Sequence, residues 1–409
     1  MKYYITFFRE NTNFFKLWVS NFVSRLGKYL TLISRITLFY TLTGSASQTA
    51  TFVIISYLPS FIFAPIGGFL ADIGKGKKLL VLSEVVNGVI VLGYLFIRSV
   101  YILYLIVFLQ MVIALIFQPI RFSLVPKILK DEKEIPTANA LEQVSDNTLE
   151  ILGPALAGVV IYFFGIKMAF LLDSLTYFIS ALILMLLSIE WKESKKKISE
   201  EFTSFFSKFR DAKNFLKKEE IVKLVFIAEF VSLIGAGVIN ELLVVFVDKT
   251  YQMPSESYSF LVSAGNLGAL IASILLARWA KRLDRVLMYL FGLIFNGILL
   301  IAFSLIPNYY LGIILFFILG IGNAFLQIGL MSIFMEHLNE EVRGKIFSIY
   351  IIASTVGSIL SLAWSKLFFN IQIGIQPIFL IGALITFITG IIMLYLFKRN
   401  GYLIGLKGK

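Results

Sequence analysis

Apolar stretches of roughly 20 residues, the length of helix that crosses a bilayer core, run along the whole chain. They fall at 15–41, 51–71, 79–97, 101–124, 138–163 and 168–189, and again at 222–247, 257–277, 286–306, 310–334, 346–370 and 377–397. In lipid, an open chain satisfies its backbone N–H and C=O groups only as a helix. The sequence therefore predicts an all-α membrane protein of twelve transmembrane helices in two pseudo-symmetric six-helix bundles. The expected organisation is an N-terminal bundle over 1–189, a cytoplasmic basic linker over 190–221, and a C-terminal bundle with a short cytoplasmic tail over 222–409.

Composition excludes the soluble alternatives. Hydrophobic residues make up 58% of the chain, Phe alone accounts for 40 positions, and mean hydropathy is +0.86. A net charge of +12 in a soluble protein would raise nucleic-acid binding, but here the cations sort by loop. Lys2, Arg9, Lys16, Lys75, Lys77, Lys78, Lys127, Lys130, Lys133, Arg278, Lys281, Arg282, Arg285, Arg343, Lys345 and the 192–223 cluster lie on one side with the tail. Arg98, Lys167 and Lys249 lie on the other. The positive-inside bias puts both termini and the linker in the cytoplasm of a multi-pass inner-membrane protein. No cleaved signal peptide is expected, because the first helix is too long for an h-region and charges run through the segment before it. With no Cys, disulfides and thiolate metal sites are excluded, and the single His, His337, lies in a charged loop beside Glu336.

Two halves of six helices fit a carrier that binds its substrate midway through the membrane. Small residues at Gly235 and Gly237, Gly265 and Gly268, and Gly320 and Gly322 let helices approach closely, for packing or for rocking. The linker, with Phe202, Phe205, Phe206 and Phe209 at helical spacing, reads as a surface-lying connection or a regulatory site.

Several motifs then carry a resemblance. Between helices two and three stands the run Gly67-Gly68-Phe69-Leu70-Ala71-Asp72, followed by Lys75, Lys77 and Lys78. Gln118-Pro119-Ile120-Arg121, Ala138-Asn139-Ala140-Leu141, Gly153-Pro154-Ala155-Leu156-Ala157-Gly158 and Arg343-Gly344-Lys345 follow at consistent positions. Together they resemble the major facilitator superfamily, and its macrolide-efflux-like branch of drug exporters. The resemblance implies a secondary transporter working by alternating access, with helices one, four, seven and ten lining its cavity. It also implies an antiporter-like kink at Gly153, Pro154 and Gly158, which favours export over uptake. Lys28 stands where that branch commonly has an acid after the Gly of the first helix, so its proton-coupling scheme does not transfer directly.

The residues themselves suggest further roles. Asp72, beside Gly68, either caps its own turn or faces the positive N-terminus of the eleventh helix near Arg343 and Gly344, a cytoplasmic latch between the halves. Pro154 should interrupt the fifth helix, since it lacks a donor and clashes with the preceding turn. Charges inside the membrane are costly unless paired or hydrated. Glu142, Asp146 and Glu150 form one helical stripe, and Arg25, Lys28 and Arg35 a comparable one on the first helix, which suggests mutual neutralisation across a wet cavity. Glu142 also matches a capping arrangement with Asn139. Asp146 and Glu150 are either structural partners or titrating groups, and Arg121 either pairs with Asp146 or snorkels. In the second half Glu229, Glu241, Asn240, Asn266, Asn323 and Gln327 are cavity candidates. The expected partners are a small-molecule substrate, the bilayer and protons, with no nucleic acid, cofactor or metal, and a monomer as the working unit. The rival reading is a carrier for an endogenous lipid-like or siderophore-like solute, and a transport-dead sensor is the more distant one. No Gly-x-x-x-x-Gly-Lys-Ser/Thr loop is present, so ATP is not the direct energy source, and no clustered His or Ser-His-acid set points to an enzyme.

Overall fold

A computed structural model describes residues 2–72, 76–188, 219–279, 283–338 and 340–403. The chain is helical almost throughout these residues. A short amphipathic helix, α1 (Lys2–Glu10), precedes α2 (Thr12–Thr43), α3 (Ala46–Asp72), α4 (Gly76–Gly93), α5 (Val100–Ile128), α6 (Ile135–Phe164) and α7 (Ile166–Met185). The second half holds α8 (Glu220–Glu241), α9 (Leu243–Tyr251), α10 (Tyr258–Trp279), α11 (Arg285–Leu305), α12 (Tyr309–His337), α13 (Glu340–Asn370) and α14 (Ile375–Arg399). Among the described residues, nine helices are long and apolar enough to cross a membrane, with a shorter apolar run over Val100–Leu115. The first expected span, α2, is not among these nine, and it carries Lys16, Arg25, Lys28 and Arg35.

The seventh predicted span is two helices. The chain breaks at Leu242, whose backbone leaves the helical region, so that α8 and α9 replace one continuous stretch. Helix starts follow their local chemistry. The Asp284 carboxylate accepts from Leu287 N at 2.9 Å and the Asn308 side chain from Leu311 N at 3.1 Å, satisfying donors that the helix itself cannot. Gly165 turns α6 into α7 with φ of +81°, a conformation open to glycine at little cost.

Two corrections concern α6. It runs unbroken through Pro154, so the proline does not interrupt the helix. Its N-cap position is Glu134 and Asn139 lies a turn inside, so Asn139 and Glu142 form no cap.

The chain divides into two compact units, Met1–Thr43 with Ile55–Phe205, and Gly44–Ile54 with Phe206–Lys409. The first turns of α3 thus group with the second unit, where Lys366 Nζ donates to Thr51 Oγ1 at 2.9 Å. In the first unit, Phe7, Phe14, Leu17, Leu80, Leu124, Val125 and Leu184 form an apolar cluster that docks α1 against the bundle. In the second, Val225, Tyr289, Leu293, Leu330, Phe334 and Phe397 form its counterpart. Helices α10 and α12 approach closely: a β-carbon added at Gly320 would strike the Gly265 carbonyl oxygen, and one at Gly268 that of Phe317. Many large apolar side chains point outward, among them Tyr101, Phe163, Leu182, Ile314 and Ile351, as a lipid-facing surface requires.

The linker over 190–221 lies outside the described residues up to Lys218, including Phe202, Phe205, Phe206 and Phe209. Asp72 ends α3, but its side chain and the surroundings of Gly68 and Gly344 lie outside what is described. Arg343 is described, and its guanidinium donates to the Leu338 and Met335 carbonyls at 3.1 and 3.4 Å. It closes the C-terminal end of α12, where free carbonyls attract cations.

Candidate functional site

Each unit encloses a polar cavity. The first is lined by one face of α2 (Ser24, Arg25, Lys28, Thr31, Arg35), by α4 (Ser83, Glu84, Asn87), by α5 (Gln110, Arg121) and by Tyr177 of α7, around about 140 Å³. The spacing of Arg25, Lys28 and Arg35 puts all three on one face of α2. Two ion-pair systems hold part of this charge. Arg25 pairs with Asp146 and reaches Glu142 at 3.3 Å, and Asn21 donates to the other Glu142 oxygen at 3.0 Å. Arg121 pairs with Glu84, whose side chain is only 4% exposed.

The two predicted stripes therefore meet at one cation. Arg25 takes both Glu142 and Asp146, while Lys28 and Arg35 stay in the cavity without an ion-pair partner among the described residues. Arg121 neither snorkels nor pairs with Asp146, because Glu84 is its anion. Glu150, one turn further along α6, is exposed and does not line the cavity. At Gly153 the absent side chain makes room for the Tyr29 ring, so this glycine lets α6 pack on α2. Pro154 and Gly158 are buried in the same helix.

Sequence reading passes over Glu84 and Asp173. Each is the sole acid of an apolar helix, α4 and α7 respectively, and that isolation is the signal that could have found them. Asp173 is fully buried; Thr176 donates to its Oδ1 at 3.3 Å, and Oδ2 has no partner.

The second cavity is larger, about 400 Å³, and is lined by Glu229, Ser232, Asn240, Asn266, Asn296, Phe316, Asn323, Gln327 and Thr386 among others. Glu229 is its one charged group. The carboxylate is 6% exposed and accepts from the Tyr350 hydroxyl at 3.3 Å, with the buried Tyr289 hydroxyl facing it as well. Asn296 donates to Asn323 at 3.2 Å. Both Glu229 and Gln327 thus lie on the cavity wall, and Asn296, which sequence reading omits, joins them.

Polar, charged cavities inside all-helical bundles suit a multi-pass transporter of small molecules. The chain matches the transmembrane secretion effector family of major facilitator transporters over residues 6–401, and it belongs to that family. It is 24% identical to the MFS-type transporter YfiS of Bacillus subtilis, over 95% of this chain and 94% of that one. It is 23% identical to the multidrug resistance protein MdtG of Proteus mirabilis over 72% of each chain, and 23% identical to the staphyloferrin A transporter of Staphylococcus aureus over 56% of each. The fold is that of the nucleoside transporter NupG, with a TM-score of 0.77 at 12% identity over 94% of this chain and 100% of that one.

Proposed function

We propose that this protein is a proton-coupled exporter of amphiphilic small molecules, working by alternating access in the cytoplasmic membrane with both termini inside. The observation that carries the reading is the Arg25, Glu142 and Asp146 cluster beside the first cavity: a partly buried cation shared between two acids can release one of them to a proton when substrate arrives. The loop-charge asymmetry supports the orientation, and the similarity to MdtG supports efflux. Similarity to the staphyloferrin A transporter supports a second reading, a carrier for an endogenous siderophore-like solute. Asp72, Gly68, Arg343 and Gly344 remain the proposed latch, and Asp146 and Glu150 the proposed coupling acids, with Glu229 next in line.

Reconstituted protein in vesicles, given a compound panel with and without a pH gradient, tests this reading. Gradient-driven accumulation is expected, and Asp146→Asn is expected to abolish it while exchange without a gradient persists. Full gradient-driven transport by both Asp146→Asn and Glu150→Gln moves the coupling site elsewhere. Transport indifferent to the gradient in the unaltered protein removes proton coupling.

A further inference from the structure

The first cavity carries four cations, Arg25, Lys28, Arg35 and Arg121, and the four acids around it, Glu84, Glu142, Asp146 and Asp173, match them in number but not in place. Glu84 occupies Arg121, and Glu142 with Asp146 occupies Arg25. Lys28 and Arg35 face the same volume, and no described carboxylate lies within ion-pair distance of either. The Nε of Arg35 is buried with no acceptor. Asp173, the remaining acid of the region, attracts Lys28 only from beyond ion-pair distance and accepts a hydrogen bond from Thr176. The neutral wall also offers a donor: the Gln110 oxygen accepts from the Tyr94 hydroxyl at 3.0 Å, leaving its NH₂ group available.

Unpaired cations inside a membrane protein are expensive, and an anion that enters beside them is held in a low-dielectric setting where the attraction is strong. A guanidinium presents a planar fork that matches a carboxylate, and an ammonium adds a compact second charge. A cavity of about 140 Å³ admits a carboxylate with a ring or short chain rather than a whole amphiphile. We propose that this cavity is a carboxylate-binding subsite in which Lys28 and Arg35 clamp the anionic head of an organic acid. The inference rests on the transporter reading above and names its substrate class.

The test uses the full chain in discs of zwitterionic lipid and three probes of one shape: naphthoate, naphthamide and naphthylmethylammonium. Calorimetric binding should favour naphthoate over the amide by about tenfold or more, as expected for a charge-assisted contact, with the preference shrinking as salt rises. Arg35→Gln and Lys28→Gln should each erase most of that preference, Arg35→Lys should keep part of it, and Lys249→Gln, outside the cavity, should leave it intact. Equal binding of the three probes, or preference for the ammonium, overturns the proposal. So does a site that phosphatidylglycerol in the disc fills and naphthoate never displaces, because the anion would then be a lipid headgroup. If the glutamine variants do not fold, the three-probe comparison and the salt series on the unaltered protein still decide. Binding is read without any gradient, so carboxylate preference without gradient-driven transport sinks the coupling reading alone, and transport of neutral compounds only, with no carboxylate preference, sinks this one alone.

Discussion

The two cavities sit in bundles of the same architecture and have opposite chemistry. The first is small and charge-dense, with four cations and Glu84 on its wall. The second is nearly three times as large and is lined by amides and hydroxyls around a single acid, Glu229. The difference lies in individual polar residues, which set what each cavity can recognise. It also separates two kinds of fragility. Charges withdrawn from water depend on a specific partner, whereas amides exchange one hydrogen-bonding neighbour for another at modest cost.

The sharpest way to break this comparison is to strand the most deeply buried of the ion-paired acids. Arg121→Gln leaves Glu84 without its cation and should destabilise the protein by about 3–5 kcal/mol, the usual cost of an unpaired buried charge. The midpoint of thermal unfolding in detergent would report it. The double variant with Glu84→Gln should recover most of the loss, and a double variant no more stable than the single one would show that the pair is not what holds α4 to α5. Arg25→Gln should cost less, about 1–3 kcal/mol, because Arg25 and Asp146 are 22% and 35% exposed and water screens what remains. The same unfolding measurement should rank it below Arg121→Gln, and a reversed ranking would mean that burial does not grade the two pairs. In the amide-lined cavity, Tyr350→Phe removes the 3.3 Å hydrogen bond to the Glu229 carboxylate and should cost about 1.5 kcal/mol, the low end for a bond to a charged group because the contact is long. A loss as large as that of Arg121→Gln would erase the contrast between the halves.

Particular residues show how far the sequence reaches. Hydropathy period placed the spanning helices to within a few residues, because lipid leaves the backbone no alternative to internal hydrogen bonding. Leu242 escaped it, since a one-residue break flanked on both sides by apolar residues leaves little mark in hydropathy. Helical spacing put Arg25, Lys28 and Arg35 on one face and Glu142 with Asp146 on another. It could not say which cation would meet which acid, and so it missed that Arg25 takes two and that Arg121 turns to Glu84.

The sequence by itself determined the all-helical membrane fold and the presence of costly charge in α2 and α6, because each follows from the solvent and from local periodicity. Tertiary structure alone decided the pairings and the cavity they leave. Those depend on how α2, α4, α5 and α7 rotate against one another, and an ion pair forms or fails over a few ångströms that no spacing along the chain records.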